Sequence, residues 1–364
     1  MGVNSAIFFD YTAHVNFFTL CLQSLPEDAA MEDNSKLMLL FLSLSGLELL
    51  KGLDHWPQSR KDKIIDWVYS HQIPRRVDSK GMSNKDALGF RGANNLGCRV
   101  LGENNVVWDT AHLAMTYCAL LILLILGDDL SKIDRKGLLQ ALGNLQREDG
   151  SFGSSSEERN DITFSFKEGD MRFVYCAVVI AHILNGYSYI DIQLLCDFIK
   201  NSLSYEGSFG QGPLQEGHGG STFCALASLH ILDKLDEVLS ENDKELIVRW
   251  CLFRQQSGFQ GRPNKEEDTC YSFWIGCSLK ILKSFKWIDK EKNKVWLSRT
   301  QRKFGGFAKY AEGNCREDLG HSYFGICALA LMKESELHGL HPALNISKRA
   351  TQRLKQRMLT THAD

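Results

Sequence analysis

A glycine-aromatic punctuation recurs along this chain: "GFRG" at Gly89, "GSFG" at Gly150 and again at Gly207, "GFQG" at Gly258 and "GGFA" at Gly305. The intervals shrink from about sixty to about fifty residues, a length that fits two helices with their connections. Units of this kind cannot bury their apolar faces alone and must stack on their neighbours, so the period constrains the fold more than any single motif does. Each punctuation is followed by a polar loop and an apolar helix: "TAHLAMTYCALLILLIL", "DMRFVYCAVVIAHIL", "HGGSTFCALASLHIL", "DTCYSFWIGCSLKIL" and "DLGHSYFGICALALM". In the last four, a polar residue stands five positions before an aromatic: Asp170 to Tyr175, His218 to Phe223, Asp268 to Phe273 and Asp318 to Tyr323. Asp at such a place satisfies free backbone N–H groups as a helix N-cap, the structural reading of Asp170 and Asp318.

Amphipathic helices alternate with the apolar ones: "KDKIIDWVYSHQI", "GLLQALGNLQRE", "IQLLCDFIKNSL", "KELIVRWCLFRQQ" and "NKVWLSRTQRK". An early apolar helix, "KLMLLFLSLSGLELL", and a late basic one, "SKRATQRLKQRML", complete six pairs. Helices apolar all round are buried, and those with a polar face look outward. The expected fold is therefore all-α: an α/α barrel of six inner and six outer helices, with the Gly loops and the inner-helix N-termini at one end. An open solenoid of helix pairs has the same periodicity. The whole chain, 1–364, reads as one such domain, with a helical extension over about 1–34 and a short C-terminal tail. Six inner N-termini converging on one opening would form an anion-attracting rim above an aromatic-lined funnel, suited to a long apolar molecule with an anionic head.

Composition narrows the function. The 364 residues carry 42 basic and 44 acidic side chains and a formal net charge of −2, which is no polyanion-binding signature and argues against nucleic acid as a partner. Eleven cysteines, scattered without a spacing framework, suit a reducing compartment, and a cytoplasmic location is expected. The start lacks a signal-type segment, and Ala6 stands where N-myristoylation wants Ser or Thr. The most apolar run, from Leu113 to Leu126, is shorter than a bilayer span, so no stable membrane association is expected.

The segment "GRPNKEEDTCYSFWIG", from Gly261 to Gly276, sets Arg262 and Lys265 just ahead of Asp268 and Cys270, and His321 holds the equivalent place one repeat later. A carboxylate, a thiolate and an imidazole are all zinc ligands, and three protein ligands leave a position open, as catalytic zinc requires. Thiolate softness favours zinc over magnesium or calcium. Singly, each has a plainer role: Asp268 as a cap, Cys270 as a buried thiol, His321 as a satisfied core histidine. The repeat register brings all three toward one rim. His218, Arg262, Lys265 and Tyr271, with Lys309 on the loop before His321, supply cations and neutral donors for a diphosphate; solvated loop cations are the alternative for the Arg and Lys residues. The Gly219-Gly220 pair would let a ligand approach the backbone closely, or simply make a turn. Together these features describe alkyl transfer from a prenyl diphosphate to a zinc-activated thiol.

At these residues the sequence resembles the β-subunits of protein prenyltransferases over nearly its whole length, and within them the geranylgeranyltransferase type I branch. The segments that carry the likeness are "GRPNK", "DTCYSFWIG", "DMRFVYCA", "GHGGSTFCALASL" and "GGFAKY". The resemblance implies Asp268, Cys270 and His321 as zinc ligands, His218, Arg262, Lys265 and Tyr271 as diphosphate binders, and Arg172, Phe173 and Trp274 lining the lipid and peptide pocket. It implies transfer of a C20 group from geranylgeranyl diphosphate to the cysteine of a C-terminal CaaX sequence on small GTPases of the Rho type, and a heterodimer with the α-subunit that farnesyltransferase shares. Lys309 stands where farnesyl enzymes carry an Asp that uses magnesium, so zinc dependence without a magnesium requirement is expected.

Two positions depart from the family pattern. Met38 replaces a small Thr at the pocket floor, a larger but pliable side chain, and Gly320 replaces a bulkier apolar residue in the peptide-terminus pocket. Farnesyl use and a looser choice of the last CaaX residue stay open. Terpene cyclases share the barrel but need a DxDD run absent here, "RPNK" and "GGFAK" fit the Rab-type transferase less well, and a non-catalytic peptide-binding repeat module is the alternative of another class. The polar insert "SSSEERNDITFSFKE", from Ser154 to Glu168, reads as a surface loop.

Overall fold

A computed structural model describes residues 9–25, 27–77, 83–93, 111–156 and 169–360, the side chains of 28–30 and 358–360 excepted. Most of the polar insert, 157–168, lies outside the described residues. The apolar segments form α2 (Lys36–Leu49), α4 (Leu113–Leu126), α6 (Met171–Ile183), α8 (Gly219–Ile231), α11 (Tyr271–Ile281) and α13 (Leu319–Leu331). Each packs on the next, and α13 returns to pack on α2. That last contact closes the ring and excludes an open solenoid. In α4 every residue but Ala114 is buried, as a helix apolar on all sides must be.

Around this ring lie α1 (Tyr11–Cys21), α3 (Gln58–Tyr69), α5 (Arg135–Leu145), α7 (Ile192–Asn201), α10 (Glu241–Leu252) and α12 (Lys290–Thr300), with a one-turn α9 (Leu235–Val238) before α10. The amphipathic pattern is obeyed: α7 buries only Leu195, Cys196, Phe198 and Ile199. The aromatic of each glycine loop, Phe90, Phe152, Phe209, Phe259 and Phe307, is fully buried. Each also forms a bridge with the end of the preceding outer helix, at Gln72, Gln146, Leu203, Gln255 and Gln301 respectively. Gly150 has φ +86°, and a Cβ there would sit 2.0 Å from the Leu194 carbonyl oxygen, so only glycine lets this loop lie against the next outer helix.

One assignment from sequence is corrected. The late basic helix, α14 (Lys348–Thr360), is not the sixth outer member. It crosses the closed end, where Arg353 donates to the Ile125 carbonyl at 2.6 Å, at the end of α4. The sixth outer place belongs to α1, and a side-chain clamp identifies it. The glutamine ending one outer helix accepts from the backbone N–H of the Asp that caps the next: Gln72 from Asp134 at 3.1 Å, Gln146 from Asp191 at 2.6 Å, Gln255 from Asp289 at 2.9 Å. Gln301 accepts from Asp10, the N-cap of α1, at 3.1 Å. Buried His14 completes the seam, accepting from Gly306 N–H at 2.9 Å and bonding Gln301 at 2.9 Å. Local periodicity could not find this, because a cap and its clamp 291 residues apart leave no pattern within any window of sequence.

The five-residue register holds in every inner helix and builds a closed belt. Ring centroids run Phe41 to Tyr117 at 5.9 Å, to Tyr175 at 5.6 Å, to Phe223 at 5.3 Å and to Phe273 at 5.3 Å; Phe324 and Tyr323 then lead back to Phe41. Such tilted pairs contribute about 0.5–1.5 kcal/mol each beyond area burial. Below the belt a hairpin of β3 (Leu340–His341) and β4 (Ile346–Ser347) plugs the ring. Tyr175 donates to the Ala343 carbonyl at 2.9 Å and Tyr323 to the Asn345 carbonyl at 2.6 Å, so these two belt hydroxyls are satisfied by the plug.

Candidate metal centre at the mouth of the ring

At the opposite end, a short ladder sets the geometry. Strand β1 (Phe307–Ala308) pairs antiparallel with β2 (Glu317–Asp318), Phe307 opposite Asp318. Asp318 caps α13 by accepting from His321 N–H at 2.9 Å, as the sequence predicts, and the same carboxylate takes His321 Nδ1 at 2.6 Å. The sequence reading gave Asp318 only the cap. The second grip turns Nε2 toward the neighbouring repeat, where Asp268 Oδ1 lies 3.3 Å away.

Asp268 sits on a turn before α11. It accepts from Cys270 N–H at 2.9 Å while its own N–H donates to the Phe259 carbonyl at 3.0 Å, so the turn fixes both side chains. One ligand atom from each of Asp268, Cys270 and His321 lies within 4.8 Å of the other two, the group of metal-binding geometry found among the described residues. Electrostatics there suits a cation. For His321, burial disfavours the charged form, but hydrogen bonds to Asp268 and Asp318 outweigh it and push the imidazole up to about 9. Burial would raise Asp268, yet His321 and Cys270 hold it below the usual carboxylate range. Burial first, then the Asp268 carboxylate, push the Cys270 thiol well above its ordinary value. An oxygen, a nitrogen and a sulfur gathered in this way fit a borderline-soft divalent ion such as zinc, which would compensate the carboxylate and favour the thiolate. Lys309 Nζ is 3.9 Å from Asp268 Oδ2.

Beside this corner, His218 caps α8 through Nδ1, accepting from Gly220 N–H at 3.0 Å, and its Nε2 meets the Tyr271 hydroxyl at 2.8 Å. Burial and then the nearby Arg262 and Arg172 lower its pKa, so a neutral ring donates through Nε2. Tyr271 is wedged between two glycines: a Cβ on Gly219 would come 2.9 Å from its ring and one on Gly261 2.1 Å. Glycine here is a steric necessity. Arg262 reaches Glu216 at 2.7 Å, and Lys265 is exposed on the same turn. Sequence reasoning missed Glu216, which carries no local signal of the pairing.

Arg172 forks onto its own helix cap Asp170, with contacts at 2.9 and 2.5 Å. Phe173 meets His112 edge-on at 5.9 Å. Trp274 stands against Phe223, Phe273 and Phe324 at 5.1, 4.7 and 4.4 Å. Met38 is half-buried against the core on α2. At Gly320 a Cβ would meet only Asp318, at 3.3 Å. Seven of the ten described cysteines are buried and all ten are unpaired, the small-apolar use expected of them. Among the described residues no helix is long and apolar enough to cross a membrane.

The chain and its ring of helix pairs have counterparts among known proteins. The chain is 37% identical over 349 residues to the geranylgeranyl transferase type-1 subunit beta of Arabidopsis thaliana, covering 93% of this chain and 89% of that one. It is 38% identical to the subunit of the same name from Dictyostelium discoideum, covering 92% and 94%. Among solved structures it matches Candida albicans protein geranylgeranyltransferase-I complexed with GGPP, with a TM-score of 0.83, 27% identity, and 96% and 99% of the two chains covered. Residues 9–346 match the prenyltransferase alpha-alpha toroid domain, and with the closed ring and the relatives at this coverage, the chain belongs to that family.

Proposed function

We propose that this chain is the catalytic β-subunit of a protein geranylgeranyltransferase type I, moving a C20 prenyl group from geranylgeranyl diphosphate to the CaaX cysteine of small GTPases of the Rho type. The observation that carries the reading is the convergence of Asp268, Cys270 and His321 within 4.8 Å above a closed aromatic belt, in a chain whose type-1 beta relatives match over nine-tenths of its length. These three residues would hold zinc, which when bound lowers the pKa of the substrate thiol so that thiolate exists at neutral pH. In the reaction a sulfur–carbon bond forms as the carbon–oxygen bond to the diphosphate breaks, and the thiol proton goes to solvent.

The chain's own side chains do the rest. His218 and Tyr271, already bonded to each other, form a preplaced unit in which the His218 Nε2–H orients the Tyr271 hydroxyl to donate to the departing diphosphate, with Arg262 and Lys265 adding charge. Donors fixed beforehand stabilise charge that develops in the transition state more than charge already present. Arg262 exchanges Glu216 for the ligand. Trp274, Phe173 and the belt exclude water from the isoprenoid, Met38 sets the usable depth, and Arg172 faces the peptide. Lys309, close to Asp268, takes the place of a magnesium ion. The shared prenyltransferase α-subunit is the partner, and the cytoplasm the site of action.

Co-expression with a prenyltransferase α-subunit tests this. Purified heterodimer is given C15 and C20 donors with peptides ending in Leu or Ser. The expected outcome is preferred C20 transfer to the Leu peptide and near one zinc per heterodimer. Magnesium added to zinc-restored enzyme should change the rate by less than about twofold, because an ammonium already supplies charge at that place. Preferred C15 transfer with a large magnesium gain would make the chain a farnesyl-type enzyme, and peptide binding without metal or transfer would make it a binding module.

A further inference from the structure

Between the two ligands of the Asp268 turn lies a residue that metal chemistry does not use. Thr269 is fully buried. Its N–H donates to the Lys309 carbonyl at 3.0 Å, and its hydroxyl donates to the Ala308 carbonyl at 2.7 Å, with the Lys309 carbonyl 3.3 Å away. Ala308 belongs to β1, whose partner strand β2 ends in Asp318, the residue that grips both the backbone and the ring of His321. An unbroken series of hydrogen bonds therefore leads from the turn carrying Asp268 and Cys270 to the imidazole of the next repeat. The same carbonyl contact fixes the backbone from which Lys309 reaches Asp268.

We propose that Thr269 is a positioning residue: its hydroxyl fastens together the two consecutive repeats that carry the metal ligands and so sets the distance between Asp268, Cys270 and His321. The inference rests on the metal-centre reading above. The physical reason is preorganisation. Ligands drawn from separate helix pairs must be held against thermal drift before an ion arrives, and outer groups that orient ligands govern metal affinity by about 10–100-fold. The backbone bond alone fixes one point of contact, whereas the hydroxyl adds a second and removes rotation about the first.

The test uses the heterodimer. Thr269→Val keeps the shape and deletes the hydroxyl; Thr269→Ser keeps the hydroxyl and deletes the methyl. Zinc affinity is read by competition with a chromogenic chelator, and ligand geometry by the absorption spectrum of the cobalt-substituted protein. The valine variant should bind zinc about tenfold more weakly, with an altered cobalt spectrum, while the serine variant restores both. A merely structural Thr269 would lower the unfolding midpoint of the metal-free protein and leave zinc affinity and the cobalt spectrum at wild-type values; that result overturns the proposal. Should the valine variant fail to assemble, Thr269→Ala is judged by the same two readouts. Cys270→Ala, measured in parallel, separates the two levels: if it binds zinc as the wild type does, the metal reading itself is wrong and the role of Thr269 falls with it.

Discussion

The two ends of the ring solve the same problem in opposite ways. At the floor, polar groups taken from water are paired within the chain. Glu48, at 1% exposure, is bound by Arg349 at 2.9 and 2.5 Å and by Ser347 at 2.9 Å, and the belt residues Tyr175 and Tyr323 end on backbone carbonyls of the plug. At the mouth, Asp268, Cys270 and His321 instead bring a carboxylate, a thiol and an imidazole within 4.8 Å of one another, a group with a joint use for a cation. A closed floor is a matter of stability; a mouth that gathers ionisable ligands is a matter of chemistry.

Three substitutions sharpen the contrast. The largest effect is expected at the mouth. Cys270→Ala should abolish bound zinc and lower prenyl transfer on the order of a thousandfold, since a metal supplies several kcal/mol of the stabilisation. The unfolding midpoint of the metal-free protein should barely move. Metal analysis, a transfer assay and thermal unfolding of one preparation check all three statements, and an equal loss of fold and function would erase the distinction between the ends.

At the floor the order reverses. Arg349→Met leaves the buried Glu48 carboxylate without its charged partner, which costs about 3 kcal/mol and should lower the unfolding midpoint by several degrees. The folded fraction should keep its kcat and its zinc. A large change in kcat at normal zinc content would mean that the floor takes part in catalysis.

Acid should also reach the floor. His341 accepts from Leu344 N–H at 3.1 Å, and burial, followed by the nearby His230, Lys355, His182 and Lys348, lowers it to about 4. A folded value below the unfolded 6.5 means that the unfolded chain binds the proton first. The stabilising contribution is complete above about pH 6.5 and is lost as pH falls toward 4, at about 1.4 kcal/mol per pH unit. Denaturant unfolding between pH 7 and 5 should show this slope, and His341→Gln should remove that share of it. An unchanged slope in the variant would assign the acid sensitivity to other histidines, such as His14 at the seam, which burial likewise lowers to about 4.

Much of the site was legible in advance because each participant stands at a fixed offset from a helix start. Asp268, Cys270 and His321 all fall within the few positions around the start of α11 or α13, and in α4, α6, α8, α11 and α13 a belt aromatic lies five residues after His112, Asp170, His218, Asp268 and Asp318 respectively. A repeated period converts sequence position into height along the ring, so residues of equal register meet at equal depth. The type of each donor then limits the ion it can take.

What the tertiary structure alone decided concerns partners with no common period. That α1 closes the outer ring follows from Gln301 holding Asp10, and that α14 crosses the floor follows from Arg353 and Arg349. That Asp318 grips an imidazole as well as capping a helix, that Arg262 rests on Glu216, and that Thr269 reaches Ala308 are likewise contacts between segments brought together by packing. Periodicity reports which face of a helix is buried and at what level, because burial acts residue by residue on one element. A directional hydrogen bond depends on where two elements finally sit, to within a few tenths of an ångström, and closing the ring is what fixes that position.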